Sequence, residues 1–201
     1  HLTAADRAVR QGDWSARRGR ELGACQVGIV GLGAIGRAVA RLMAAFGAKV
    51  VAHDPWLDDE QVWLDTKVSL IDLDELVSTS DVVTLHAPGG GGPLIDRARL
   101  GRFRSHAVLV NTARAGLIDQ AAVAQALARD ELGACAVDVL TGEHGGASPL
   151  LDAPNVIVTP HIAGQTTQAI DRMGMAAAKE CVRVLVEGRS PHNPVIARRD
   201  L

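Results

Sequence analysis

Short apolar runs alternate with amphipathic stretches along this chain. An apolar run opens Val27–Gly36 (V-G-I-V-G-L-G-A-I-G) and ends on glycines. Ala38–Phe46 follows with helical composition and stops at Gly47, a residue suited to the position just past a helix end. Lys49–His53 reads as the next strand. Helical Asp72–Val77 leads to the strand Asp81–Leu85, Leu94–Phe103 to Ala107–Thr112, and Asp119–Arg129 to Ala134–Val139. Asn155–Thr159 precedes a long helical stretch, Thr166–Gly188. Strands alternating with helices mean parallel β-α units. Right-handed crossovers wind such units into a Rossmann-type, doubly wound parallel α/β sheet with helices on both faces.

Other segments fit this pattern less well. Leu2–Arg18 reads as a leading helix, with Thr3 and Asp6 at capping-box-like spacing and Gly12 as a potential break. Pro88–Pro93 (P-G-G-G-G-P) and Glu143–Ser148 (E-H-G-G-A-S) read as flexible connections. The expected organisation is one domain over residues 1–201, with the leading helix in 1–20 and an extended tail in 189–201.

Composition narrows the class. Hydrophobic residues make up 47% of the chain, as expected for a sheet covered on both faces. The net charge is −2, there is no basic stripe, and with no Tyr the stacking platforms that nucleic acid needs are scarce. Nucleic acid is therefore not an expected partner. Cys25, Cys135 and Cys181 are far apart and odd in number. They read as buried free thiols in a reducing compartment, not as a disulfide set or a metal site. No signal peptide and no apolar run of bilayer length is visible, so the expected setting is cytoplasmic, with no membrane partner.

The chemistry begins at the glycines. Gly31, Gly33 and Gly36 have G-x-G-x-x-G spacing between a strand and a helix. The first permits a tight turn, the second lets backbone approach a pyrophosphate, and the third lets helix and strand pack closely. Asp54 ends the next strand, 18 residues beyond Gly36. A carboxylate there accepts hydrogen bonds from a ribose 2′-OH and repels a 2′-phosphate, which favours NAD over NADP. Asp54 is equally a turn former before Pro55.

In open α/β sheets ligands bind beyond the carboxyl ends of the strands. The ionisable residues directly after strands are Asp54, His86, Arg114, Asp138 with Glu143, and His161. The planar fork of Arg114 matches a carboxylate bidentately. For proton transfer the candidates are His53, His86, His144 and His161, because imidazole titrates near neutrality. Glu143 would fix the tautomer of His161 if the two loops meet. Position alone does not separate His86 from His161.

The motifs together resemble one family, the D-isomer-specific 2-hydroxyacid dehydrogenases. They are G-L-G-A-I-G (Gly31–Gly36), H-D-P (His53–Pro55), L-H-A-P (Leu85–Pro88) and N-T-A-R-A-G-L-I-D (Asn111–Asp119). G-A-C-A-V-D-V-L-T-G-E (Gly133–Glu143) and N-V-I-V-T-P-H-I-A-G (Asn155–Gly164) complete the set in family order. The resemblance implies hydride transfer between NADH and a 2-oxo acid, with Arg114 holding the substrate carboxylate. It also implies His161 as acid–base group, paired with Glu143. Around NAD it implies Ala34 and Ile35 beside the glycines, and His86, Ala87 and Pro88 beyond their strand. It further implies Thr112 and Ala113 around the nicotinamide ring, Asp138 at the nicotinamide end, and His161 and Gly164 nearby.

The family also implies a homodimer formed through cofactor domains, and an N-terminal substrate domain that these residues do not include. The glycine-rich Gly89–Gly92 and the short Glu143 loop depart from its pattern. With the missing domain they raise the alternative of a trimmed or engineered NAD-binding module with little turnover, and the resemblance, which extends to transcriptional corepressors, raises that of an NAD-sensing interaction protein.

Overall fold

The computed structural model describes residues 2–16, 18–58, 62, 68–143 and 146–192. The chain divides into two compact units, His1–Pro160 and His161–Leu201. The first holds a seven-stranded parallel sheet. Its strands are β1 (Gln26–Val30), β2 (Lys49–His53), β3 (Ser69–Leu70), β4 (Val82–Leu85), β5 (Val108–Asn111), β6 (Ala134–Val137) and β7 (Val156–Val158). Their order is β3-β2-β1-β4-β5-β6-β7, and every pairing is parallel. The reversal of direction between β1 and β4 is the switch point at which such sheets bind ligands.

Alternation along the strands divides the core between two faces. Val27 and Ile29 of β1 enter one cluster with Leu32, Ala40 and Ala52. Val30 enters the other with Val83, Leu85, Leu109, Val123 and Leu127. The first is covered by α2 (Ala34–Ala45), whose Ala40 is buried. The second is covered by α3 (Leu73–Thr79), α4 (Arg97–Leu100) and α5 (Gln120–Ala128). These three start on Asp72, Asp96 and Asp119, whose carboxylates accept from the N–H of Asp74, Arg99 and Ala122. Such caps satisfy donors that a helix start leaves orphaned.

Several expectations are corrected. The leading helix α1 covers Leu2–Arg10 and ends well before Arg18, with Gly12 at φ +85° beyond it. Thr3 lies inside α1 and is not its cap, and Asp6 pairs with Arg10 one turn on. Leu94–Phe103 contains only the single turn of α4, and Asp72 stands outside its helix as the cap. β3 escaped the apolar pattern because two residues are too few to show a period.

At the sheet edge opposite the strand C-termini, Asp81 is buried just before β4. Its carboxylate accepts from the Gln26 N–H at 2.9 Å, Arg20 Nη1 at 2.8 Å, His106 Nε2 at 2.8 Å and Arg104 Nη1 at 3.2 Å.

In the second unit, α6 (Thr167–Cys181) is capped by Thr166 and runs into a π-helical turn, Val182–Val186. The long helical stretch expected over Thr166–Gly188 is thus an α-helix that passes into a π-helical turn, and Gly188 follows at φ +62°. Cys181 is exposed, unlike Cys25 and Cys135, so only two of the three thiols are buried. His192 bonds Glu180 through both its N–H and Nδ1, so the expected tail is tied down at its start. Residues 193–201, the rest of that tail, lie outside the described residues, as does His144. Among the described residues no helix is long and apolar enough to cross a membrane.

Candidate functional site

The glycine loop occupies the switch point, and its three glycines meet three different surroundings. Gly31 has φ +91°, and a Cβ there would lie 2.7 Å from the backbone of His86 and Ala87. The loop after β1 and the loop after β4 therefore touch. A Cβ at Gly36 would overlap the Gly31 carbonyl, so the helix start packs on the turn. Nothing lies within 4 Å of a Cβ at Gly33. That open backbone begins α2, where Gly33 caps without a side chain. Ala34, Ile35 and Gly36 form the first turn of the helix, whose N–H groups and dipole favour an anion.

Asp54 is fixed beside this loop. Its Oδ2 accepts from the Leu32 N–H at 2.9 Å and its Oδ1 from the Trp56 N–H at 3.1 Å. The carboxylate is thus a turn former and a neighbour of the glycine loop at once. A cavity of about 450 Å³ opens next to it, lined by His53, Asp54, Pro55, Asp58 and Asp72 among others. His53 points its Nδ1 at the Ile71 carbonyl, 3.0 Å away. His86 pairs its Nε2 with Thr84 Oγ1 at 3.0 Å, and burial pushes its pKa down.

Arg114 follows β5 in a turn built by a buried side chain. Asn111 is fully buried. Its Nδ2 donates to the Arg114 carbonyl at 2.9 Å, and its Oδ1 accepts from the Ala113 N–H at 3.1 Å. Thr112, Ala113 and Arg114 are therefore held as one turn, with the guanidinium exposed and Nη1 donating to the Ala113 carbonyl. A Cβ on Gly89 would come within 3.3 Å of the Arg114 stem, so the glycine-rich loop after Pro88 lies against that side chain.

Asp138, after β6, is buried. It accepts a short hydrogen bond from Thr159 Oγ1, which ties the ends of β6 and β7, and its N–H bonds the Asn111 carbonyl. Glu143 lies in a loop closed by the Gly146 N–H on the Gly142 carbonyl, and its Oε1 accepts from the Leu140 N–H at 3.4 Å. This loop is clamped at both ends by one buried residue. Gln120 donates from Nε2 to Thr141 Oγ1 at 2.8 Å and accepts from Ser148 Oγ at 2.7 Å. His161 and Gly164 belong to the second unit, where His161 stands at φ +54°, a conformation uncommon outside glycine.

Asn111, Gln120 and Asp72 were not singled out from sequence. The available signal was polarity out of place: an amide ending an apolar run, and a glutamine on the buried face of a helix.

The chain matches the family described as D-isomer specific 2-hydroxyacid dehydrogenase, NAD binding domain, over residues 1–163, and it belongs to that family. D-3-phosphoglycerate dehydrogenase of Mycobacterium tuberculosis is 38% identical over 191 residues, 93% of this chain and 36% of that protein. The chain thus spans about a third of that relative's length. The crystal structure of D-lactate dehydrogenase with NAD+ from Lactobacillus jensenii superimposes with a TM-score of 0.86 at 27% identity. It covers 98% of this chain and 64% of the other. The TT0316 protein from Thermus thermophilus gives a TM-score of 0.84 at 34% identity, over 97% and 63%.

The residues present fit the family's cofactor. Gly33 leaves open space at a helix N-terminus, Gly31 lets two loops touch, and Asp54 is held by the glycine loop itself.

Proposed function

We propose that this chain is the cofactor-binding part of an NAD-dependent oxidoreductase that interconverts a 2-oxo acid and a D-2-hydroxy acid. The observation that carries the reading is convergence on one sheet edge. The glycine loop, Asp54, His86, the Asn111-held turn of Arg114 and Asp138 all follow parallel strands, so they share that edge.

In this reading the first turn of α2 receives the pyrophosphate and Asp54 receives the adenosine ribose. The nicotinamide, when bound, supplies the hydride. Arg114 grips the substrate carboxylate, each charge-assisted hydrogen bond contributing about 1.5–3 kcal/mol. Asn111 sets the turn from which that side chain reaches. His161 gives a proton to the carbonyl oxygen on reduction and takes it back on oxidation. Glu143 holds the imidazole in the tautomer that does so. Thr112, Ala113 and Asp138 shape the nicotinamide end, and Ala87, Pro88 and Gly164 complete the cofactor's surroundings. A second copy of the chain is the proposed partner, and a reducing, cytoplasmic setting suits the free thiols.

The test combines an NADH titration with steady-state NADH oxidation on pyruvate, glyoxylate and hydroxypyruvate. NADH binding with turnover on one of these acids supports the reading. Binding with no turnover would leave a binding module, and absence of binding would defeat the cofactor assignment.

A further inference from the structure

Asp54 shares an open cavity at the sheet edge with a second acidic residue, Asp72. In the β2–β3 pairing Val51 lies opposite Ser69 and Ala52 opposite Leu70. The Ile71 N–H bonds the Ala52 carbonyl, and His53 Nδ1 the Ile71 carbonyl, so the register continues past the strand ends. Extended two residues beyond the last pair, that register sets Asp72 opposite Asp54, just past the ends of the two strands. Both residues line the same open cavity, with Asp58. Among the described residues, that lining has no Lys or Arg.

Neither charge is free to swing away. The Leu32 and Trp56 N–H groups hold Asp54, and the Asp74 N–H holds Asp72 Oδ1 at 2.8 Å. A ribose hydroxyl at Asp54 adds no charge to the cavity. A 2′-phosphate at the same place adds about two negative charges within a Debye length of both carboxylates, and the Arg37 guanidinium near the glycine loop already donates to the Leu32 carbonyl at 3.1 Å.

We infer that Asp72 is a second specificity-determining carboxylate, which acts with Asp54 to exclude a dinucleotide carrying a 2′-phosphate. The inference rests on the cofactor reading above. Its consequence is that neutralising Asp54 relaxes the preference for NAD only in part, because the neighbouring strand still presents a negative charge.

The experiment compares wild type, Asp54→Asn, Asp72→Asn and the double variant, titrated with NADH and NADPH at 0.05 M and 1 M salt. Asparagine caps a helix as well as aspartate does, so Asp72→Asn keeps the start of α3, and Asp72→Ser is a second capping substitute. The ratio of NADPH to NADH Kd should fall about two- to five-fold in either Asp72 variant at low salt. The fall should shrink at 1 M salt and should add to that of Asp54→Asn. An unchanged ratio in both Asp72 variants would overturn the inference while leaving NADH binding, and so the cofactor reading, intact. Equal weakening of both cofactors would also overturn it, since a merely structural role predicts that result. A wild type that binds no NADH would overturn the cofactor reading and this inference together.

Discussion

Replacing Asp81 by alanine should destabilise the fold without weakening NADH binding. The carboxylate is 11% exposed and accepts four hydrogen bonds. The Gln26 N–H would lose its acceptor, which costs about 1–3 kcal/mol where water does not replace it. Arg20, Arg104 and His106 are roughly half exposed, so each contributes only about 0.2–1 kcal/mol. The expected loss is about 2–5 kcal/mol, which for a chain of this size lowers Tm by very roughly 5–15 °C.

The pH dependence of that loss has a definite sign. Burial alone raises the Asp81 pKa, but bonds from the Gln26 N–H, His106, Arg20 and Arg104 outweigh it and hold the carboxyl far below the usual range. A carboxylate whose native pKa is depressed contributes stability above its unfolded pKa and loses it as pH falls through the native value. The gap between wild type and variant should be flat from about pH 7 to pH 5 and close below about pH 4. Urea denaturation across pH measures it, with an NADH titration alongside. Asp81 lies about four residues of strand, roughly 13 Å, from the edge that carries the site. A gap under about 1 kcal/mol at pH 7 would refute the reasoning, as would one that widens on acidification.

Other outcomes follow from the same geometry. Gln120→Leu removes the bridge between Thr141 and Ser148 and should cost about 1–3 kcal/mol. Under the proposed mechanism it also lowers kcat with little change in NADH Kd, read by denaturation and steady-state kinetics. His161→Ala should lower kcat about 10²–10⁴-fold while NADH still binds, and lost NADH binding would mark the residue as structural. Leu2 and Val9 of α1 are exposed and the helix buries no residue. Light scattering at micromolar concentration should give twice 21.1 kDa, and a monomeric mass that persists as concentration rises would defeat the dimer.

Most of the sheet, the glycine loop and Asp54 were legible along the chain because their signals are local. A buried strand is a run of apolar residues, a tight turn needs glycine at its own position, and a carboxylate after a strand is visible one residue at a time. The class of fold follows from their alternation. The tertiary structure alone decided which residues hold the site in place. Asn111 builds the Arg114 turn, Gln120 clamps residues Thr141 and Ser148 across more than a helix length of chain, and Asp81 gathers Gln26, Arg20, Arg104 and His106. Each is a polar residue in a buried place. Its role depends on which distant donors and acceptors packing brings within about 3 Å, and no periodicity in the chain encodes that. β3 is the same case in the backbone. Two residues carry no pattern, but pairing with β2 makes them a strand, and Asp72 beyond it lines the same cavity as Asp54.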